Sequence, residues 1–236
     1  TEDAEALFVA AGALEYGAVN YEVFLRWMLD EPALHSEPAK PDLPGGDKRS
    51  MPDFSAGATP PSGEIFVHGA GDCDQLGLGE IHRERRKPTL LRSFTGLPVC
   101  FVACGGLHTI CILDSGRLFS WGCGDDGALG RSPGADSEPR PVALPEGVQI
   151  RIVSCGDSHS CAVDTDAKVW LWGSYKDSSG YVGIVHEGRI LEKSFQPTLM
   201  PTLQGVLSIA SGANHTLALS SSSGLFAWGS NQTGQL

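Results

Sequence analysis

The chain has 236 residues, 41% of them apolar, and no apolar run near the roughly 18 residues that a membrane span requires, so it has room for one large or two small domains. Its net charge of −11 is uneven: residues 1–62 carry eleven acids against four bases and residues 63–236 seventeen against thirteen, which excludes a broad electrostatic footprint for nucleic acid. Thirty glycines exceed the usual share of about 7% and recur in small clusters, as expected for many tight turns between short strands.

From Ala4 to Leu29, the apolar residues Leu7, Phe8, Val9, Leu14, Val19, Phe24, Leu25, Trp27, Met28 and Leu29 predict two short helices with a glycine-containing break from Gly12 to Gly17. GAVNYEVFLRWML resembles the second half of an EF-hand. With Gly17 at the loop glycine, however, Gly12, Leu14 and Tyr16 fall at the first ligand positions and Val23 at that of the bidentate glutamate. Calcium would find almost no carboxylates, so residues 1–30 read either as a degenerate half-motif or as an amphipathic helix of an unrelated extension. Residues 31–62, rich in Pro, Gly, Asp and Ser, have the composition of a disordered linker.

Beyond residue 63 the chain repeats. The glycine of a strand-ending doublet falls at Gly69, Gly122, Gly173 and Gly229, with spacings of 53, 51 and 56. His108, His159 and His215, in CGGLHTICIL, CGDSHSCAVD and SGANHTLALS, keep the same phase with spacings of 51 and 56. Gly-rich tips follow the doublets: DQLGLG at 74–79, DGALG at 126–130 and TGQL at the end. One unit runs VCFVACG, LHTICIL, a turn at Asp114-Ser115-Gly116, then RLFSWG, which predicts a small antiparallel sheet. Such a sheet cannot bury both faces alone, so units must stack, as in a β-propeller or β-solenoid. The units are placed near 63–122, 123–173 and 174–229, the last truncated.

Several motifs within these units tempt a chemical reading. Gly122-Cys-Gly124-Asp-Asp-Gly127 has the outline of a dinucleotide loop, but Ala128-Leu-Gly-Arg-Ser-Pro does not start a helix and the aspartates would repel a pyrophosphate. Asp157-Ser158-His159 holds the residue types of a hydrolase triad, yet neighbours along a strand point to alternate faces. The three phased histidines lie too far apart on successive blades for one metal ion, so a hydrogen bond within each blade is expected. His82-Arg83-Glu84-Arg85-Arg86-Lys87 is read as a solvated loop. Seven cysteines, an odd number without a CxxC pair, read as reduced intracellular thiols, and the sequons at Asn214 and Asn231 would then never be glycosylated.

The patterns xxxCGxxHTxxL and WGxxxxGxLG resemble the regulator of chromosome condensation repeat family over Glu64 to Leu236. The resemblance implies an all-β fold, a β-propeller of four-stranded blades with about three and a half of about seven present, so the sequence is expected to be part of a longer protein. WLWGSYKDSSGYVG and GAGDCDQLGLGE look more specifically like the family's chromatin-bound guanine nucleotide exchange factor for the small GTPase Ran. In that member the loop after the third Trp-Gly is a β-wedge that pushes into the GTPase beside its nucleotide. The matching residues are Tyr175, Lys176, Asp177, Ser178, Ser179, Gly180, Tyr181 and Val182. GTPase-contact positions match at Asp72, Asp157 and Asn214, the last standing where the exchange factor has an aspartate; the lost charge implies slower exchange. The resemblance further implies Ran as partner, no membrane partner, no cofactor or covalent chemistry, a nuclear location with the cytoplasm as the alternative, and chromatin binding only through parts outside this sequence. The alternative is a propeller interaction module that binds a ubiquitin-ligase, cytoskeletal or traffic partner without exchange.

Overall fold

The computed structural model describes residues 63–236 except Ile81, His82, Ala135, Glu187 and Ser223. Of the first 62 residues it describes the strands Leu14–Glu15 and Ala18–Val19, which pair antiparallel. Ala18–Val19, at the start of the second expected helix, is thus strand; the rest of the expected helices, the EF-hand ligand positions Gly12, Tyr16 and Val23 and the linker lie outside the described residues.

From Gly63 the described chain is strand and turn, with one short 3-10 turn at Arg92–Phe94. Two sheets have four antiparallel strands. One is ordered Val99–Cys104, His108–Leu113, Leu118–Gly122, Arg140–Pro141, and the other Ile150–Cys155, His159–Asp164, Val169–Gly173, Ser194–Met200. Phe66–Ala70 with Glu84–Leu90 forms a two-stranded sheet before them, and Val206–Ser211, His215–Ser220 and Gly224–Gly229 a three-stranded one after. The first strands of the last three sheets lie against one another, Val99–Cys104 against Ile150–Cys155 and Ile150–Cys155 against Val206–Ser211, as the inner strands of propeller blades do. Among the described residues no helix is long and apolar enough to cross a membrane.

Each blade is offset from the sequence repeat by one strand, because the outer strand follows the Gly-rich loop. These outer strands contain Pro88, Pro141 and Pro197. Proline lacks the N–H that a ladder needs and is tolerated at the sheet's free edge, where it also discourages edge-to-edge pairing. Residues 84–87 belong to such a strand, which corrects the loop expected for the basic run.

The core lies between blades. Ile65, Leu91 and Phe94, which flank the strands of the first sheet, pack against Val99, Cys111, Leu113 and Trp121. Ile110, Ile112 and Leu118 of the second meet Ala162, Trp170 and Trp172 of the third. Cys161, Val163 and Leu171 of the third meet Val206, Ile209 and Ala218 of the fourth. Both faces are therefore covered in the central strands His108–Leu113 and His159–Asp164, every residue of which is buried. All seven cysteines are free; burial pushes the Cys111 thiol up to about 12.

The phased histidines tie blades together, which corrects the bond expected within each blade. His108 Nε2 lies 2.8 Å from Ser160 Oγ of the next sheet, and His159 Nε2 lies 3.0 Å from Thr216 Oγ1. The rings rest on the glycines of the CG doublets: a Cβ on Gly105 would lie 2.4 Å from His108 Cε1, and one on Gly156 2.1 Å from His159 Cε1. Glycine is required there by the close approach. The partner falls in the next sheet because, at a repeat of about fifty residues, equivalent positions of adjacent blades face each other across the interface.

Candidate functional site

Each loop after a Trp-Gly strand folds back over the turn that precedes the histidine of its own sheet. Cys123 N–H donates to Leu107 O, Ser174 N–H to Ser158 O and Ser230 N–H to Asn214 O, all at 2.8 Å. Turns and loops thus form one face of the propeller. The triad-like Asp157-Ser158-His159 sits here with separate partners: Asp157 is exposed, Ser158 Oγ donates to Asp126 Oδ2 at 3.0 Å, and His159 is buried. Gly122–Gly127 closes as a turn, Gly127 N–H donating to Gly124 O at 2.9 Å, and no helix follows.

In the first two loops a main-chain carbonyl seals the junction to the next blade. Gln75 O accepts from Trp121 Nε1 at 2.9 Å and Thr109 Oγ1 at 3.1 Å. Ala128 O accepts from Trp172 Nε1 at 2.8 Å and Ser160 Oγ at 2.9 Å. The third loop, SYKDSSGYVG, lacks the ALG turn, and Tyr175 takes the carbonyl's place. Its hydroxyl accepts from Trp228 Nε1 at 2.8 Å and lies 2.9 Å from Thr216 Oγ1, while its ring stacks on His159 at 4.0 Å between centroids. Burial raises its pKa well above the usual phenol value, so the group stays neutral.

Above this root the chain leaves the scaffold. Lys176–Asp177 pairs with Gly180–Tyr181 as a small hairpin, with Ser178, Ser179, Gly180 and Tyr181 exposed. Gly180 has φ +121, in the region where only glycine is unstrained. Val182 N–H donates to Tyr175 O at 2.8 Å and closes the base, and Val182 packs partly against the core below. Of the eight residues expected at the wedge, Tyr175 and Val182 are the roots of this hairpin, and Lys176 to Tyr181 project.

The hairpin is held from both sides. On one, Asn214 Oδ1 accepts from Lys176 N–H at 3.0 Å, and Gln232 Oε1 accepts from Ser178 N–H at 2.9 Å. On the other, the Asp126 carboxylate pairs with Lys176 Nζ, and with Lys193 Nζ at 3.0 Å. Tyr181 OH donates to Asp126 Oδ1 at 3.2 Å, and both lysine ammonium groups lie near the Tyr181 ring, at 5.2 and 5.3 Å. Partial burial pushes the Asp126 carboxyl up, but hydrogen bonds from Lys176, Lys193 and Ser158 outweigh it and hold the group down at about 2. Asn214 therefore lies against the hairpin, while Asp72 and Asp157 stay exposed on the same face. Sequence reasoning missed Asp126, Lys193 and Gln232. The repeat length was the available signal, since Asp126 precedes Lys176 by fifty residues.

This fold and its loop face define a β-propeller with a projecting polar hairpin on one blade. Residues 64–236 match the RCC1-like domain, and the chain belongs to that family of regulator-of-chromosome-condensation repeats. It is similar to the human regulator of chromosome condensation, 38% identical over 179 residues covering 74% of this chain and 40% of the relative. It is also similar to the Ultraviolet-B receptor UVR8 of Arabidopsis thaliana, 34% identical over 74% of this chain and 39% of that protein. A crystal structure of Prp20p from Saccharomyces cerevisiae, described with its binding to Gsp1p and histones, superposes with a TM-score of 0.68 at 29% identity, covering 76% of this chain and 44% of that one. The chain spans less than half the length of these relatives.

Proposed function

We propose that the chain is the GTPase-facing part of a guanine nucleotide exchange factor for Ran, in which the hairpin at 175–182 acts as the wedge and Asp72, Asp157 and Asn214 contribute to docking. No covalent chemistry is involved. An exchange factor acts by binding the nucleotide-free GTPase more tightly than the loaded one, and needs a rigid scaffold carrying a shaped polar protrusion. The observation that carries the reading is the hairpin itself, exposed at its tip, rooted by Tyr175 in a buried junction and braced from two neighbouring loops. The same reading places the protein in the nucleus, with chromatin contacts made by other parts of the protein.

The whole protein is expected to accelerate release of a fluorescent GDP analogue from Ran, and deletion of Lys176–Gly180 to return release to the spontaneous rate while the fold is kept. Undiminished release after the deletion would show that the hairpin is no wedge. Asn214→Asp keeps the acceptor for Lys176 N–H and adds the missing charge, so a several-fold faster exchange is expected in the same assay. No gain, together with no release by the native protein, would favour the second reading, an interaction module that binds without exchanging. That reading draws on the neutral side chain at position 214 and on the similarity to UVR8, a receptor by name.

A further inference from the structure

We infer that Asp126, a residue of the preceding blade's loop, is the positioning residue of the hairpin. Both oxygens of its carboxylate are in use: Oδ2 faces Lys176 Nζ and Ser158 Oγ, and Oδ1 faces Lys193 Nζ and Tyr181 OH. Lys176 and Tyr181 are the paired residues of the hairpin's two strands, so one carboxylate grips both strands from the same side. Lys193 lies where the chain returns to the outer strand, and its Nζ also donates to Asp125 O at 3.0 Å, binding that return to the same loop.

The loop that presents Asp126 is itself fixed. Gly127 N–H donates to Gly124 O, and Gly127 packs so closely on the next blade that a Cβ there would lie 2.5 Å from Ser194 O. A neutral amide here would keep the shape but lose the charge assistance, and a charge-assisted hydrogen bond is about twice as strong as a neutral one. One consequence concerns the surface offered to a partner. With the Lys176 ammonium committed to Asp126, the part of the hairpin exposed to another protein is the tip, Ser178 to Tyr181. The wedge is thus oriented before any partner arrives, which reduces the ordering cost at docking.

The functional consequence rests on the wedge reading, but the positioning role is measured without a GTPase. In the full-length protein, amide hydrogen exchange of the segment 174–183 is expected to quicken about tenfold in Asp126→Asn, while Val169–Gly173 keeps its protection. Asp126→Glu is expected to restore most of the protection, since the charge is kept. In nucleotide release from Ran, Asp126→Asn should lower kcat about tenfold with KM changed by less than about twofold, the pattern of a misplaced group rather than a lost contact. Unchanged hydrogen exchange in 174–183, or a loss of protection spread through the whole third sheet, would overturn the positioning role. Loosening of the hairpin with an unchanged kcat would overturn its consequence for exchange. A native protein that releases no nucleotide would remove the exchange reading, and the positioning role would then be decided by hydrogen exchange alone.

Discussion

Trp172→Ala is expected to cost about 4 kcal/mol of stability, the usual range for emptying a large buried aromatic site. Trp172 is fully buried and packs across the junction against the second sheet. Its ring lies on Gly130, where a Cβ would lie 2.8 Å from Nε1, at a φ of +64 that also favours glycine. The site is built from main chain on one side and from two sheets on the others, so it cannot collapse around the vacancy. Trp172→Phe keeps most of the apolar volume and loses the donor to Ala128 O, which still accepts from Ser160 Oγ; its cost should be about 1 kcal/mol. Urea denaturation followed by circular dichroism measures both. A loss below about 1 kcal/mol for the alanine variant would show that the blades do not depend on this junction.

Acid should open the same junctions through the histidines. Burial holds His108 down at about 4, and burial, with smaller contributions from the neighbouring histidines, holds His159 at about 3. Ser160 Oγ donates to Ala128 O, so His108 Nε2 must be the donor to Ser160, and the Nδ1 atoms of both rings are buried without a partner. Protonating them would place a charge where nothing accepts it. Because the folded-state values lie below the ordinary 6.5, the histidines cost nothing above pH 6.5. As pH falls below that, the unfolded chain takes up protons that the folded chain refuses, and stability declines until the folded values are reached. The two together should remove about 5 kcal/mol between pH 7.5 and 4.5, at about 1.4 kcal/mol per unit for each. The double variant His108→Gln, His159→Gln should flatten this decline in urea midpoints measured across the range. An equally steep decline in the variant would assign acid sensitivity to other groups.

The phased Trp-Gly doublets and CGxxH motifs made the blades legible, because each marks a contact that one side chain makes with glycine or main chain at a fixed place in the repeat. The outer strands were harder to read, since Pro88, Pro141 and Pro197 look like breakers until a free sheet edge gives them a place. The site divided along a similar line. SYKDSSGYVG stood out because the repeat did not account for it, and its tip does project. Tyr175 went unrecognised as a root because in sequence it is one more polar aromatic of the loop; only the empty place of the carbonyl supplied by Gln75 and Ala128 elsewhere gives it a role. Asp126 escaped because its partners are brought to it by rotation from one blade to the next, a relation that appears in sequence only as a distance of about one repeat.

The tyrosine at the third junction gives that junction a different evolutionary character from the other two. Where Gln75 and Ala128 supply the acceptor, it belongs to the peptide group, and every amino acid at those positions would bring one. At the third junction the acceptor is a phenol oxygen, which a single base change from tyrosine to phenylalanine deletes. The stiffness of the hairpin is therefore a heritable variable that selection can adjust from beneath, without altering a residue that a partner would touch.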